Sequence, residues 1–218
     1  MKQERRRVKM FCVPEAVRPY RGVSADDRRA QRRSQLLEAC LDVVGAEGVA
    51  GTTAEAVCAR AGLSKRYFYE SFADREAVLV AALDAFFEAA REAITPALAE
   101  PATSTGERLT RTVAALVGAL SSDARTARLY VESSRHPALE LRRIAAYDEF
   151  ALLILRYGLE VDTEPADPRS RLVALLLVSG TTEVMARWLS GDLDLDEQTL
   201  VETVAGIGLA AAELLRGP

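Results

Sequence analysis

Lys65, Arg66 and Tyr67 stand in a row directly after Ser64 and directly before Phe68, so a cationic tip adjoins an apolar body. An arginine can donate two parallel hydrogen bonds to O6 and N7 of a guanine in the major groove, and a lysine brings a mobile cation to phosphate or base. DNA readers of the helix-turn-helix kind present such residues at the N-terminal end of their second helix. Arg66 is therefore the expected base reader, against the plainer alternative that Lys65 and Arg66 form an ordinary solvated face of a helical hairpin. Paired acid and base groups, a serine nucleophile elbow, a phosphate loop and a metal-ligand cluster are not found in the sequence, which argues against an enzyme and against any cofactor or metal.

The surrounding residues supply the elements that would hold this tip. Thr52 and Glu55 form a Thr-x-x-Glu capping box, which predicts a short helix from Thr53 with Val57 facing inward and Ala56, Ala59 and Ala61 leaving room for close packing. Gly62 ends it, since a glycine just past the last helical residue takes positive φ without a Cβ penalty, and Leu63 packs back at the turn. Ser64 is placed to cap the next helix, predicted over 64–71, on which Phe68 and the following Phe72 share a core-facing side four residues apart. Upstream, Ser24 and Asp27 form a second cap and open a helix with the apolar face Leu36, Leu37, Cys40, Leu41 and Val44, stopped at Gly48. Downstream, Asp74 caps a long fourth helix that runs through Val78, Ala82, Phe86 and Phe87 to about Ile94 and ends at Pro96 and Pro101.

This order of parts resembles the N-terminal domain of TetR-family bacterial transcriptional regulators over residues 33–79. The likeness rests on the amphipathic first helix ending near Gly48, the Thr-Thr helix start, Ala61-Gly62-Leu63-Ser64, Tyr69, Phe72, and Arg75-Glu76 at the head of the fourth helix. The resemblance implies that Thr53 and Ala54 sit at the DNA-facing start of the second helix. It further implies that Ser64, Lys65, Arg66 and Tyr67 lie on the DNA side with 65–67 toward bases, and that Tyr69 and Arg75 hold phosphates. Arg66 and Tyr67 depart from the glycine and small threonine usual in the family, and Ser71 from a common histidine; the first two bear on operator sequence, the third on one phosphate contact.

Charge is divided along the chain. Its net charge of −4 would repel DNA, yet residues 1–75 carry fifteen Lys or Arg against ten Asp or Glu, leaving thirteen against twenty-two for residues 76–218. The basic end is the one to meet phosphate. Residues 1–23, with Arg5, Arg6, Arg7, Lys9, Arg18 and Arg21, lack helical periodicity and read either as a disordered basic arm reaching the minor groove or as a solvated extension. Cys12, Cys40 and Cys58 have no zinc spacing; Cys40 and Cys58 fall on apolar helical positions and read as buried free thiols of a reducing compartment, with Cys12 the exposed candidate for redox sensing. The longest apolar run, Leu172 to Val178, is far short of the ~18 residues of a span, and the basic start lacks a following apolar stretch, so a cytoplasmic protein is expected.

From residue 105 the pattern gives helices at about 106–121, 123–135, 137–158, 168–190 and 195–215, with a turn at Pro165-Ala166-Asp167-Pro168 and His136 capping the helix opened by Pro137. The expected fold is all-α, divided into a basic arm (1–23), a three-helix helix-turn-helix DNA-binding domain (24–73) and a helical effector-binding and dimerisation domain (74–218). Val173, Leu177, Gly180 and Val184 make one stripe with Leu176 and Trp188, and Val204, Gly208, Ala211 and Leu215 make another with Ile207; both are lined with small residues and are expected to pair across a two-fold axis. The segment from Arg187 to Leu193 also resembles the corresponding part of TetR-family effector domains. Tyr130, Tyr147, Phe150 and Trp188 are the aromatic candidates for a small-molecule pocket, against the alternative that each is plain core.

Two motifs mislead. Gly206-x-Gly208-x-x-Ala211 has a dinucleotide-binding spacing without a preceding strand, and Asp192, Asp194 and Asp196 start a calcium loop that lacks its glycine and its bidentate glutamate. The sequence thus predicts a homodimeric transcriptional regulator, a repressor released from a palindromic operator in double-stranded DNA by a small-molecule effector, with a helical adaptor that binds no DNA, or a small-molecule enzyme, as the alternatives.

Overall fold

A computed structural model describes residues 24–159 and 167–216, and over these it is helical with no strand. The N-terminal arm 1–23, Cys12 within it, and Pro165-Ala166 lie outside the described residues. The helices are α1 Ala25–Gly51, α2 Ala54–Ala61, α3 Lys65–Ser71, α4 Arg75–Ala99, α5 Thr105–Ser121, α6 Ala124–Ser133, α7 Pro137–Leu153, α8 Pro168–Leu189 and α9 Glu197–Arg216. A π-helical turn, Ile154–Gly158, continues α7.

Local chemistry sets most of the boundaries. Ser24 and Asp27 exchange side-chain and backbone hydrogen bonds in the expected reciprocal cap of α1. The second cap is shifted by one residue: Thr53, not Thr52, is the N-cap of α2 and accepts from the Ala56 amide, while the buried Thr52 hydroxyl donates to the Gly48 carbonyl and closes α1. Thr53 carries the same side chain one position nearer the helix, so the cap falls to it. Gly62 takes φ 65° and turns the chain from α2 into α3. Ser64 occupies the N-cap position of α3, but its side chain makes no capping bond.

Two expected stops are corrected. Gly48 breaks helical geometry at φ 78°, yet one more turn follows to Gly51. Pro96 does not end α4; it sits inside the helix, which runs to Ala99. A proline there removes one backbone donor, and the Thr95 hydroxyl bonds the Arg91 carbonyl alongside.

Helices α1, α2 and α3 close around Leu36, Cys40, Val44, Val57 and Phe68, all fully buried, with Val78 and Leu79 of α4 completing this N-terminal head. The same apolar core runs on through Leu83, Phe86 and Phe87 of α4 to α5, α6, α7 and α9. A smaller cluster, Ala151, Leu155, Leu159, Ala174 and Ala212, joins the end of α7 to α8 and α9. By length and composition α8 and α9 could each cross a membrane, and only 17% and 28% of their most apolar stretches is buried. That exposure leaves Leu172, Leu175 and Leu176 on α8 and Ile207 and Leu214 on α9 facing outward.

Candidate functional site

The exposed end of the head is built by α2 and α3. Phe68 and Phe72 anchor α3 in the core with ring centroids 5.9 Å apart, so the preceding residues turn out to solvent. Arg66 is the most open of them, its side chain 84% exposed and held by Glu70 one turn along the helix at 2.9 Å. Lys65 pairs with Glu55 of α2 across the turn. Tyr67 lies under the Arg32 guanidinium of α1, 4.6 Å from its ring centroid, and Tyr69, 57% exposed, meets Phe68 edge to face. Thr53 is exposed and Ala54 half-buried at the start of α2. The structure therefore brings Thr53, Ala54, Ser64, Lys65, Arg66, Tyr67 and Tyr69 to one end of the head. Their ion pairs are exposed and worth little, so exchanging Glu70 or Glu55 for phosphate or a base edge costs the fold little.

Arg75 is placed differently from the phosphate-holding position expected of it. Its half-buried guanidinium turns inward, donating to the carbonyls of Val49 and Thr52 and approaching His136 Nε2 at 3.4 Å. These carbonyls lie at the end of α1; the Val49 carbonyl also accepts from the Thr52 amide, and the side-chain cation adds a second bond to it and satisfies the Thr52 carbonyl. His136 stands at the N-cap position of α7 without the side-chain cap expected of it, and faces Arg75 and Glu76 instead.

Helix α6 clasps the other side of α1. Arg125 bridges Asp42 at 2.5 Å and Asp123 at 2.7 Å, Arg128 donates to the Gly45 carbonyl at 2.9 Å, and Glu132 accepts from the Val49 amide at 2.7 Å. A Cβ on Gly48 would meet the movable end of Glu132 at 2.8 Å, so it is chiefly the φ of 78° that calls for glycine here. Hydrogen bonds from Arg60 and Arg125 hold the Asp42 carboxyl below its ordinary range. Burial pushes Glu132 up, but the bonds from Arg128 and the Val49 amide outweigh it and leave the carboxyl below its usual 4.5.

Behind α6 lies a cavity of about 120 Å³, roughly ten times the ~10–15 Å³ that one water needs. Its wall is almost wholly apolar and includes Phe86 and Phe87 of α4, Leu109 and Leu116 of α5, Tyr130 of α6, Tyr147 and Phe150 of α7, and Met185 of α8. Tyr130 stacks on Phe86 at 4.9 Å and donates its hydroxyl to the Thr182 carbonyl. Three of the four expected pocket aromatics thus gather at one place. Trp188 does not: its indole N–H donates to the Leu195 carbonyl at 2.9 Å and ties the end of α8 to the loop before α9.

The expected pairing stripes are largely turned inward. Val173 and Leu177 pack on the smaller core cluster and Val204 and Gly208 line the cavity. A Cβ on Gly208 would meet Leu109 at 3.4 Å, so its small size serves contact with α5 within the chain. Val184 packs on the main core, Ala211 is half-buried and Leu215 packs on the smaller cluster, leaving Leu176, Gly180 and Ile207 as the exposed members. The outward face runs through Leu176 and Ile207 of the expected stripes and continues at Leu172 and Leu214, each one position before Val173 and Leu215.

Arg125, Arg128 and Glu132 were not singled out by sequence reasoning, although the Arg128–Glu132 spacing of one helical turn was a signal. Among the described residues no group of His, Cys, Asp or Glu is arranged to hold a metal ion.

Residues 36–82 match the bacterial regulatory proteins of the tetR family. None of the curated proteins matches the chain. Among solved structures, a TetR-like transcriptional regulator from Rhodococcus sp. RHA1 superposes with a TM-score of 0.63 at 25% identity, covering 83% of this chain and 97% of that one. The multidrug binding protein EbrR, solved with imidazole, gives 0.61 at 25% identity over 81% and 94% of the two chains. A tetR-family regulator from Streptomyces coelicolor gives 0.68 at 18% identity over 84% and 80%, which speaks for the fold. The match over the helix-turn-helix, combined with likeness to solved TetR-family regulators through the helices that follow, supports a TetR-family transcriptional regulator, in a family that binds DNA and is generally not enzymatic.

Proposed function

We propose that the chain is a homodimeric repressor that binds a palindromic operator through Thr53, Ala54, Ser64, Lys65, Arg66, Tyr67 and Tyr69, and leaves it when a small molecule enters the cavity behind α6. The observation that carries this reading is the double role of α6. On one side it forms the cavity wall with Tyr130; on the other it grips the end of α1 with Arg125, Arg128 and Glu132. A ligand that displaces α6 thereby moves the reading head, and it shifts DNA affinity by the difference in its own affinity for the two arrangements. The solved structure of EbrR, a multidrug binding protein, supports a small-molecule effector by likeness.

Dimerisation is assigned to the outward apolar faces of α8 and α9, because a single recognition helix makes too few contacts and two-fold pairing would set half-sites about one helical turn, ~34–36 Å, or a multiple of it apart. Residues 24–73 form the reading domain and 74–218 the effector and dimerisation domain. A cytoplasmic location follows from a partner that is cellular DNA.

The test is to sequence the DNA that copurifies with, or is selected by, the full-length protein and then titrate it by fluorescence anisotropy. Enrichment of one inverted repeat, bound two protomers per site, is the expected result. Recovery of DNA without a shared sequence would overturn operator recognition, and recovery of none would return the chain to the adaptor reading.

A further inference from the structure

The cavity has one feature that an apolar pocket does not require. Arg143 on α7 is only 4% exposed, and among the described residues it has no carboxylate within ion-pair distance. Its Nη2 donates to the Tyr147 hydroxyl at 2.8 Å, its Nε has no partner, and its guanidinium lies 5.2 Å and 5.9 Å from the ring centroids of Tyr130 and Tyr147. Both rings line the cavity. A guanidinium does not lose its proton, so a full positive charge sits just behind an apolar wall with two aromatic faces and one phenol as its company. Burial of a charge is costly until a counter-charge arrives.

The hydroxyls around the cavity show where such a counter-charge would sit. Thr112 donates to the Arg108 carbonyl, Thr182 to the Val178 carbonyl and Tyr130 to the Thr182 carbonyl, so their protons are committed to backbone, whereas the half-buried Thr181 on the same wall makes no such bond among the described residues but has no cation beside it. Tyr147 is set apart by the charge beside it: its oxygen accepts from Arg143, which leaves its own proton for another acceptor and makes it a better donor. No Asp or Glu lines the wall to receive a cation. Glu183, whose charge reaches the Tyr130 phenol, is exposed and paired with Arg187.

We propose that the effector is an amphipathic anion, an apolar body carrying one carboxylate or similar oxyanion, whose head group accepts from the Tyr147 hydroxyl and is balanced by Arg143. The apolar body fills the space between Phe86, Leu109, Leu116 and Met185. This assignment rests on the reading of the cavity as the effector site and adds the charge class of its occupant.

Decanoate, decanol and decylammonium share one chain and differ in head group, so isothermal titration of the full-length protein below their micelle concentrations isolates the head-group term. Decanoate is expected to bind roughly tenfold or more tightly than decanol, and decylammonium more weakly than either, a tenfold ratio being ~1.4 kcal/mol. Tyr147→Phe keeps the ring and removes only the hydroxyl; it should weaken decanoate by about tenfold and leave decanol within about twofold. Arg143→Gln should abolish the preference for decanoate, with its fold checked by thermal melting. If decanol or decylammonium binds as tightly as decanoate, or if Tyr147→Phe affects decanoate and decanol alike, the anion assignment is wrong while the effector cavity stands. If none of the three binds, the effector reading of the cavity falls with it.

Discussion

Arg66 and Arg75 show how differently one residue type is used nine positions apart. Arg66 ends in solvent with a surface glutamate as its partner, whereas Arg75 closes the end of α1 by bonding the Thr52 carbonyl and sharing the Val49 carbonyl with the Thr52 amide. Arg66→Ala is therefore expected to weaken specific operator binding by about 1–3 kcal/mol and to relax base preference locally, with the urea midpoint unchanged. Arg75→Ala should instead lower the unfolding free energy by about 1–3 kcal/mol, read by urea denaturation, because it strands the carbonyl of the buried Thr52. Equal losses of DNA affinity without loss of stability would return Arg75 to a phosphate-holding role. The thiols are just as dependent on place. Burial pushes Cys40 from 9.0 up to about 12, only partly offset by the charge of Arg75. At pH 8 its thiolate is scarcer by a factor on the order of a thousand than in the unfolded chain, so Cys40 should resist iodoacetamide until the protein is denatured. Prompt alkylation of the folded protein at Cys40 would show that α1 opens locally.

At the level of elements, α8 and α9 divide small residues from large along one helical period. Gly208 abuts Leu109 of the same chain, while Ile207 beside it is 57% exposed and Leu176 on α8 is 64% exposed. Substitutions at adjacent positions should consequently separate folding from association. Ile207→Arg combined with Leu176→Glu is expected to yield a monomer by sedimentation with helical content and thermal midpoint of the body retained in the monomer. Gly208→Leu should depress the thermal midpoint by overpacking against Leu109, a cost typically of about 1–3 kcal/mol. A charged pair of variants that remains dimeric would place the interface on another surface, such as the exposed Leu141 and Ile144 of α7.

Across the whole molecule, head and body are joined by continuous core and by the polar clasp of α6 on α1, and the clasp responds to acid. Glu132 and Asp42 are both held below their ordinary values of 4.5 and 3.8, so their folded forms bind protons less readily than their unfolded ones. Their contribution is present in full above those ordinary values and is lost as pH falls through the lower folded values. Stability should accordingly decline as pH drops from about 5 toward 3, and Glu132→Gln should flatten that decline. The same variant weakens the bond to the Val49 amide, so hydrogen exchange at Val49 should quicken and the factor by which decanoate lowers operator affinity should shrink toward one. Unchanged coupling in Glu132→Gln would move the transmission to α4.

The sequence by itself determined what depends on neighbours a few residues apart. Ser24 with Asp27, Gly62 after Ala61, and the Phe68–Phe72 spacing are local patterns, and they sufficed to define the helix-turn-helix and to put Lys65, Arg66 and Tyr67 at its tip. The all-α class followed from the same periodicities. Local pattern was less able to choose between Thr52 and Thr53, since both could cap and the choice fell on how α1 ends. It also set Pro96 as a stop where packing carries α4 past it. Only the tertiary structure decided which faces of α8 and α9 look outward, because an apolar helix with small residues on several sides has no unique inward direction until α5 and α7 are in place. Long-range contacts likewise turned Arg75 toward the end of α1 and gathered Tyr130, Tyr147 and Phe150 around one cavity with Arg143 behind it, while Trp188 went to the loop seven residues on. Tyr130 and Thr182 meet across 52 positions of chain, and no spacing within a helix encodes such a meeting.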